Sequence, residues 1–189
     1  DKPYDPLAYR LLTLQPCLYR RWATVRLEDM HLWIQTWAED QIFAGATAKG
    51  AEEAWYDLAL DLEQCNLEHL PYCGGATDIV KCFDQIDRAL LVHIAARAGM
   101  PTQILQVYTA YMDRLRIHNT TKGGVGRAYK RRLGIPQGCP LSMFMCAVLL
   151  KPWHAMMLTL HTWPKMLADD VMVVAVGQHC QHQFIKAMN

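Results

Sequence analysis

Carboxylates stand at two places in this 189-residue chain where the surrounding pattern is wrong for a charge. Asp78 sits in Ala76-Thr77-Asp78-Ile79-Val80, at the start or middle of an apolar run with strand character. Asp169 and Asp170 are adjacent at the tip of Met166-Leu167-Ala168-Asp169-Asp170-Val171-Met172-Val173-Val174. A buried carboxylate is costly unless something cationic pairs with it. Three of them brought together by two adjacent strands would repel one another unless Mg²⁺ held them. Two hard cations about 3.5–4 Å apart are what in-line phosphoryl transfer uses, one activating the attacking oxygen and the other stabilising the leaving one. Each site alone has a plainer reading: Asp-Asp at a turn is most often a solvated turn, and Asp78 after Thr77 could be a capping residue.

A third segment bears on the same chemistry. Gly134-Ile135-Pro136-Gln137-Gly138-Cys139-Pro140-Leu141-Ser142 is a Gly/Pro-rich bend between a basic strand and a long apolar helix. Its glycines permit close backbone approach to a ligand, and the helix N-terminus offers N–H groups to an anion. Upstream of it, residues 114–132 carry seven basic side chains (Arg114, Arg116, Lys122, Arg127, Lys130, Arg131, Arg132) and no acid. The other 170 residues hold 12 basic and 18 acidic side chains, a balance of −6, although the whole chain is only +1. A local cationic strip on an acidic body points to a polyanion contact or to a solvated basic hairpin.

The elements that must position these groups follow from hydrophobic spacing. Helices are predicted over residues 12–32 and 51–67, the second with Glu52, Glu53, Asp57 and Glu63 on its outer face. Residues 71–75 read as a turn and 76–83 as a buried strand. Residues 87–99 form a helix closing on Gly99, and Pro101 opens another to about Arg114. Residues 115–119 and 127–133 flank the Gly-rich loop 120–126 as a hairpin. Residues 140–160 form a long helix with Pro152 as a kink, and 166–176 make a second hairpin turning at 168–170. The stretch from Ser142 to Asp169 leaves few residues for a strand before that turn.

Helices mixed with antiparallel hairpins make an α+β domain. An apolar fraction of 52% with 20% charged residues describes a folded globular chain. Its longest apolar run, residues 143–150, is too short to cross a bilayer, so no membrane partner is expected. Seven cysteines without a Cys-x-x-Cys pair favour free thiols and a reducing, intracellular compartment, nucleus or cytoplasm. His179, Cys180 and His182 lack the second half of a zinc site. With no initiator Met and an amphipathic segment running to Asn189, the sequence reads as a piece of something longer.

Taken together and in order, these segments resemble the reverse transcriptases. Asp78-Ile79-Val80-Lys81-Cys82-Phe83-Asp84-Gln85-Ile86 is similar to the family's first palm motif, residues 134–142 to its Gly-x-Pro-Gln-Gly-x-x-x-Ser motif, and Leu167-Ala168-Asp169-Asp170 to its Ala-Asp-Asp turn. Tyr9-Arg10-Leu11-Leu12-Thr13-Leu14 resembles the fingers segment Tyr-Arg-Pro-Ile-Ser-Leu, and Gln41-Ile42-Phe43-Ala44-Gly45 the segment after it. Leu11, Met143 and Leu167 depart from the pattern at positions that hold no ligand. Phe-Asp after the first Asp places the resemblance nearest the non-LTR retrotransposon and group II intron branch.

The resemblance implies a right-hand polymerase: fingers over residues 1–70 and palm over 71–189, an antiparallel palm sheet backed by helices, with the thumb absent. It implies RNA-templated DNA synthesis, with an RNA template, a DNA or RNA primer and dNTPs as partners, and further domains of a longer polypeptide. Asp78, Asp169 and Asp170, with the Ile79 carbonyl, would bind two Mg²⁺, with Mn²⁺ a possible substitute. Phe83 falls on the steric-gate position, where an aromatic face leaves no room for a 2′-OH. Gln137 and Gly138 would meet the incoming nucleotide, and Arg10 would grip its triphosphate. Arg127, Lys130, Arg131 and Arg132 would contact template–primer phosphates. The alternatives are a non-catalytic reverse-transcriptase-like scaffold that binds RNA, and a decayed retroelement fragment.

Overall fold

Residues 12–45, 49–121 and 123–189 are described in the computed structural model of the chain. Where one helix is predicted over 12–32, two occur: α1 (Cys17–Asp29) and α2 (His31–Trp37). Pro16 fixes the start, because the residue before a proline is disfavoured in helical conformation. Fully buried Met30 is the joint; its N–H still donates to the Arg26 carbonyl while its own carbonyl accepts from Ile34. α3 (Ala51–Leu67) has the predicted span. Its acidic face is not all solvated, however: Asp57 and Asp61 both ion-pair with Lys165, whose side chain is 3% exposed.

The first strand differs from expectation. β1 (Tyr72–Asp78) starts inside the predicted turn, ends at Asp78 and is largely exposed rather than buried. Gly74-Gly75 reads as a turn signal, but long-range pairing overrides it. A Cβ on Gly74 would lie 2.9 Å from the Val173 carbonyl oxygen, so the strand needs bare backbone there, while one on Gly75 would lie 3.1 Å from the Phe184 ring, which would have to give slightly. After it come a single helical turn, α4 (Cys82–Gln85), and two helices, α5 (Arg88–Arg97) and α6 (Thr102–Arg114). Asp87 caps α5, its Oδ1 accepting from the Ala89 and Leu90 N–H groups at 2.8 and 3.2 Å. Gly99 (φ 80°) and Pro101 separate α5 from α6 as predicted.

The basic hairpin is thinner than predicted. Its strands are β2 (Thr120–Thr121) and β3 (Gly124–Val125), which lie in the expected loop; of the expected flanks, only the Ile117–Tyr129 pair forms a bridge. α7 (Ser142–Thr159) runs through Pro152, and β4 (Thr162–Leu167) and β5 (Asp170–Val176) follow before α8 (Cys180–Met188). β4 has six residues, so the stretch before the Asp-Asp turn does hold a full strand. Pro164 is tolerated because β4 is the outer member of an antiparallel sheet of order β1-β5-β4. Beyond it, Ile42 bridges in parallel to Met166.

The core gathers around α7. Phe144, Met145, Cys146, Ala147 and Val148 are consecutive and all buried, as an all-apolar helix requires. Leu91 and Ala95 of α5, Tyr108 of α6 and Ala23 of α1 join the same cluster. Each large buried side chain contributes roughly 1.5–3 kcal/mol. Among the described residues no helix is long and apolar enough to cross a membrane.

Candidate active site

The sheet register brings the two acidic segments together. Asp78, the last residue of β1, is paired with Asp170, the first of β5, and the Ile79 N–H donates to the Asp169 carbonyl at 3.1 Å. Ala168 makes the turn in the left-handed region (φ 58°). Asp78 and Asp169 both line a cleft of about 860 Å³. Asp78 is exposed at the strand end, because the sheet stops there. Asp170 is exposed and does not line the cleft. The Ile79 carbonyl accepts the Cys82 N–H at 3.0 Å.

The opposite side of the cleft is built by backbone apposition. Phe83, in α4, is half-buried and lines it, as do Gln137 and Gly138 from the loop before α7. The Ile135 N–H donates to the Phe83 carbonyl and the Gly134 N–H to the Ile86 carbonyl, both at 2.7 Å. Gly134 (φ 80°) is required, since a Cβ would stand 2.7 Å from the Asp84 carbonyl oxygen and 2.8 Å from that of Phe83. Arg88 holds the loop from behind, donating from Nε to the Gly134 carbonyl at 2.6 Å and from Nη1 to the Met112 carbonyl at 3.0 Å. Ser142 Oγ donates to the Pro136 carbonyl, and the Gln137 carbonyl accepts the Thr13 N–H. The loop is thus fixed from three directions before any ligand arrives.

The structure adds two cations to the candidate set. Cys17, Arg20, Arg21 and Thr24 line the cleft from α1, at the i, i+3, i+4, i+7 spacing of one helix face. That spacing is visible in the sequence and was the available signal for Arg20 and Arg21. α1 is seated through Tyr19, whose ring stacks on Tyr111 of α6 at 3.4 Å between centroids. Burial pushes the Tyr19 hydroxyl pKa well up, leaving a neutral group beside the Cys139 thiol. In the basic segment, Arg127, Lys130 and Arg132 are exposed. Arg131 is not: it turns inward and pairs with Asp84, Nη1 to Oδ1 at 2.8 Å. Arg10 lies outside the described residues.

Below the carboxylates sits a thiol pair, Cys82 Sγ and Cys146 Sγ, 3.8 Å apart. Their shared hydrogen bond holds the Cys82 thiol below its ordinary pKa and, with burial, pushes that of Cys146 up. Asp169 acts on both in the direction of the neutral thiol.

Among the described residues, no ion pair of Asp78, Asp169 or Asp170 is found. No group of three His, Cys, Asp or Glu side chains that could hold a metal ion is gathered among them either. Asp78 and Asp169, two carboxylates lining one cleft, nevertheless suit Mg²⁺, which binds through one or two carboxylates and completes its shell with water and substrate phosphates.

The model of one protein family, reverse transcriptase (RNA-dependent DNA polymerase), matches residues 2–188. No curated protein matches the chain in sequence. Among solved structures, the chain is similar to apo telomerase from Candida tropicalis truncated from the C-terminal domain. That match has a TM-score of 0.60 and 13% identity, over 90% of this chain and 36% of that one. Telomerase from Candida tropicalis in complex with the TWJ fragment of telomeric RNA gives 0.60 and 13%, over 90% and 30%. The corresponding Candida albicans complex gives 0.57 and 14%, over 89% and 30%. At such identities the likeness is one of fold, and the chain spans about a third of the length of these structures.

Proposed function

Because this chain belongs to the reverse transcriptase (RNA-dependent DNA polymerase) family, we propose that it carries the nucleotide-adding centre for copying RNA into DNA. A primer 3′-OH attacks the α-phosphate of a deoxynucleoside triphosphate and pyrophosphate leaves. The observation that carries the reading is the single cleft lined at once by Asp78, Asp169, Phe83, Gln137, Gly138, Arg20 and Arg21. Carboxylates on one side and guanidiniums on another suit a polyphosphate whose reacting end needs a metal and whose leaving end needs cations.

Asp78 and Asp169, with Asp170 and the Ile79 carbonyl beside them, would hold Mg²⁺, which when bound lowers the cost of the charge developing on the transferring phosphoryl group. Arg20 and Arg21, on one face of a packed helix, attract the β- and γ-phosphates. Phe83 lies under the sugar and excludes a 2′-OH. Gln137 and Gly138 form the wall against which the base and sugar rest. Arg127, Lys130 and Arg132 attract the phosphates of an RNA template paired with a DNA or RNA primer.

The finer reading follows the sequence motifs. Residues 1–70 form fingers and 71–189 a palm, within a longer polypeptide that supplies a thumb. The element is a retroelement of the non-LTR retrotransposon or group II intron type, and the protein works inside the cell, in nucleus or cytoplasm.

The test is Mg²⁺-dependent deoxynucleotide incorporation on an RNA template with an annealed DNA primer, by this chain and by a form extended at its C-terminus. Asp169→Asn is expected to lower incorporation by at least about 10³-fold, some 4 kcal/mol of transition-state stabilisation, with the thermal midpoint unchanged. Extension at the wild-type rate by that variant overturns the assignment. Lack of incorporation by either form, with RNA binding retained, leaves a non-catalytic RNA-binding scaffold in its place.

A further inference from the structure

Arg131 and Asp84 do not do what their sequence neighbours do. Arg131 belongs to a run of exposed cations, yet its side chain is only 20% exposed. Asp84 follows Phe83 in α4 and is only 25% exposed. A pair this deep is less weakened by water and salt than one on the open surface.

The position of α4 is imposed from outside. A single helical turn does not hold itself, and this one is entered through Lys81 in the left-handed region (φ 52°). The backbone bonds that fix it, from Ile135 to Phe83 and from Gly134 to Ile86, both run to the 134–135 loop. Among the described residues, the Asp84–Arg131 pair is the ion pair that joins α4 to the basic segment. It acts on the residue next to Phe83, so any shift of Asp84 is passed to the ring.

We propose that the Asp84–Arg131 ion pair is a positioning pair for sugar selection. It holds the Phe83 turn against the 134–138 loop and so fixes the gap beneath the nucleotide's sugar. Arg131 is thereby withdrawn from the nucleic-acid face, which is left to Arg127, Lys130 and Arg132. The inference rests on the reading of the cleft as a nucleotide site with Phe83 as its gate.

The experiment measures dATP and ATP binding to the chain by calorimetry, with Ca²⁺ in place of Mg²⁺ to prevent turnover, alongside thermal midpoints. The wild-type chain is expected to prefer dATP by at least tenfold. Arg131→Gln should cut that preference at least fivefold, chiefly by tightening ATP, and Arg131→Lys should keep most of it. Combining Asp84→Arg with Arg131→Asp should restore it. If Arg131→Gln fails to fold, Asp84→Asn removes the charge at unchanged shape and is expected to cut the preference in the same way.

Equal weakening of both nucleotides with a lowered midpoint means a structural strut and overturns the proposal. An unchanged preference, with weaker binding of an RNA–DNA duplex and a smaller salt slope, means a phosphate contact and overturns it too. Phe83→Val separates this failure from that of the underlying reading. If that variant keeps the wild-type preference, or if the wild-type chain shows none, the gate itself is wrong and the positioning pair falls with it.

Discussion

The two hairpins differ in almost every physical respect. β4–β5 has strands of six and seven residues, is mostly buried, is paired on to β1 and packs against α7. β2–β3 has strands of two residues, all exposed. Below β2–β3 its flanks are held by the Ile117–Tyr129 bridge, by the Gly126 N–H donating to the Asn119 carbonyl at 2.8 Å, by Tyr129 Oη donating to Asn119 Oδ1 at 2.9 Å, and by His118 Nδ1 at 3.0 Å from the Gly126 carbonyl. The first carries Asp169 at its tip; Arg127, Lys130 and Arg132 follow the second. In the role proposed for Asp169, a carboxylate that meets a metal and a phosphate in one geometry needs a packed scaffold. Cations that contact a nucleic-acid backbone need only be near it, because that attraction is long-ranged and carries no sequence information.

The sharpest way to break this comparison is to neutralise the thin side. Replacing Arg127, Lys130 and Arg132 together with Gln is expected to weaken binding to an RNA–DNA duplex about 10–100-fold at moderate salt and to reduce the slope of log K against log salt by about 2–3. The thermal midpoint should hold. A fall in midpoint with no change in slope would show that these residues stabilise the fold instead.

A smaller effect is expected on the packed side. Lys165→Met in β4 removes the cation shared by Asp57 and Asp61, which remain partly exposed at 48% and 30%. Water absorbs part of the loss, so the cost is about 1–2 kcal/mol, or a fall of a few degrees in midpoint. No shift in midpoint would mean that α3 is held to β4 by apolar contact alone.

The smallest effect is that of pH, acting through the helix beneath the hairpin. His154 of α7 is fully buried with Nδ1 3.2 Å from Glu39, which also pairs with Lys151. Burial pushes its pKa down, Glu39 opposing and Lys151 assisting. A histidine whose folded pKa lies below its unfolded value near 6.5 favours folding above that value and loses the benefit as pH falls. Midpoints measured from pH 7.5 to 5 should fall, and His154→Gln should flatten the slope by less than about 1 kcal/mol over that range. An identical slope in the variant would assign the acid sensitivity elsewhere.

How much of this was readable beforehand varies with the range of the interaction. α3, α5, α6 and the turn at Ala168-Asp169 carry local signals: apolar spacing, the Asp87 cap, Gly99, Pro101, and the hairpin composition around Asp169. The meeting of Asp78 with Asp169 and Asp170 is legible only through the resemblance, which makes them one metal site; the register that pairs Asp78 with Asp170 is long-range. The start of β1 is not legible locally, because Gly74 and Gly75 lie against Val173 and Phe184, about a hundred residues away. The resemblance groups Arg131 with the phosphate-contacting cations, and a run of cations in the sequence does not show which one turns inward to pair with Asp84. Arg20 and Arg21 show the converse, since a cationic helix face has meaning only once something is opposite it.

Ala168 has a consequence of its own. An alanine held at φ 58° is strained by roughly 1–2 kcal/mol relative to a conformation it would choose. Glycine would remove that strain at the cost of a more mobile backbone beside Asp169. The turn is therefore a place where durability and exactness trade against each other. Anyone hardening this protein for heat would find an easy gain one residue from the carboxylate that, in the proposed function, must be aimed most closely.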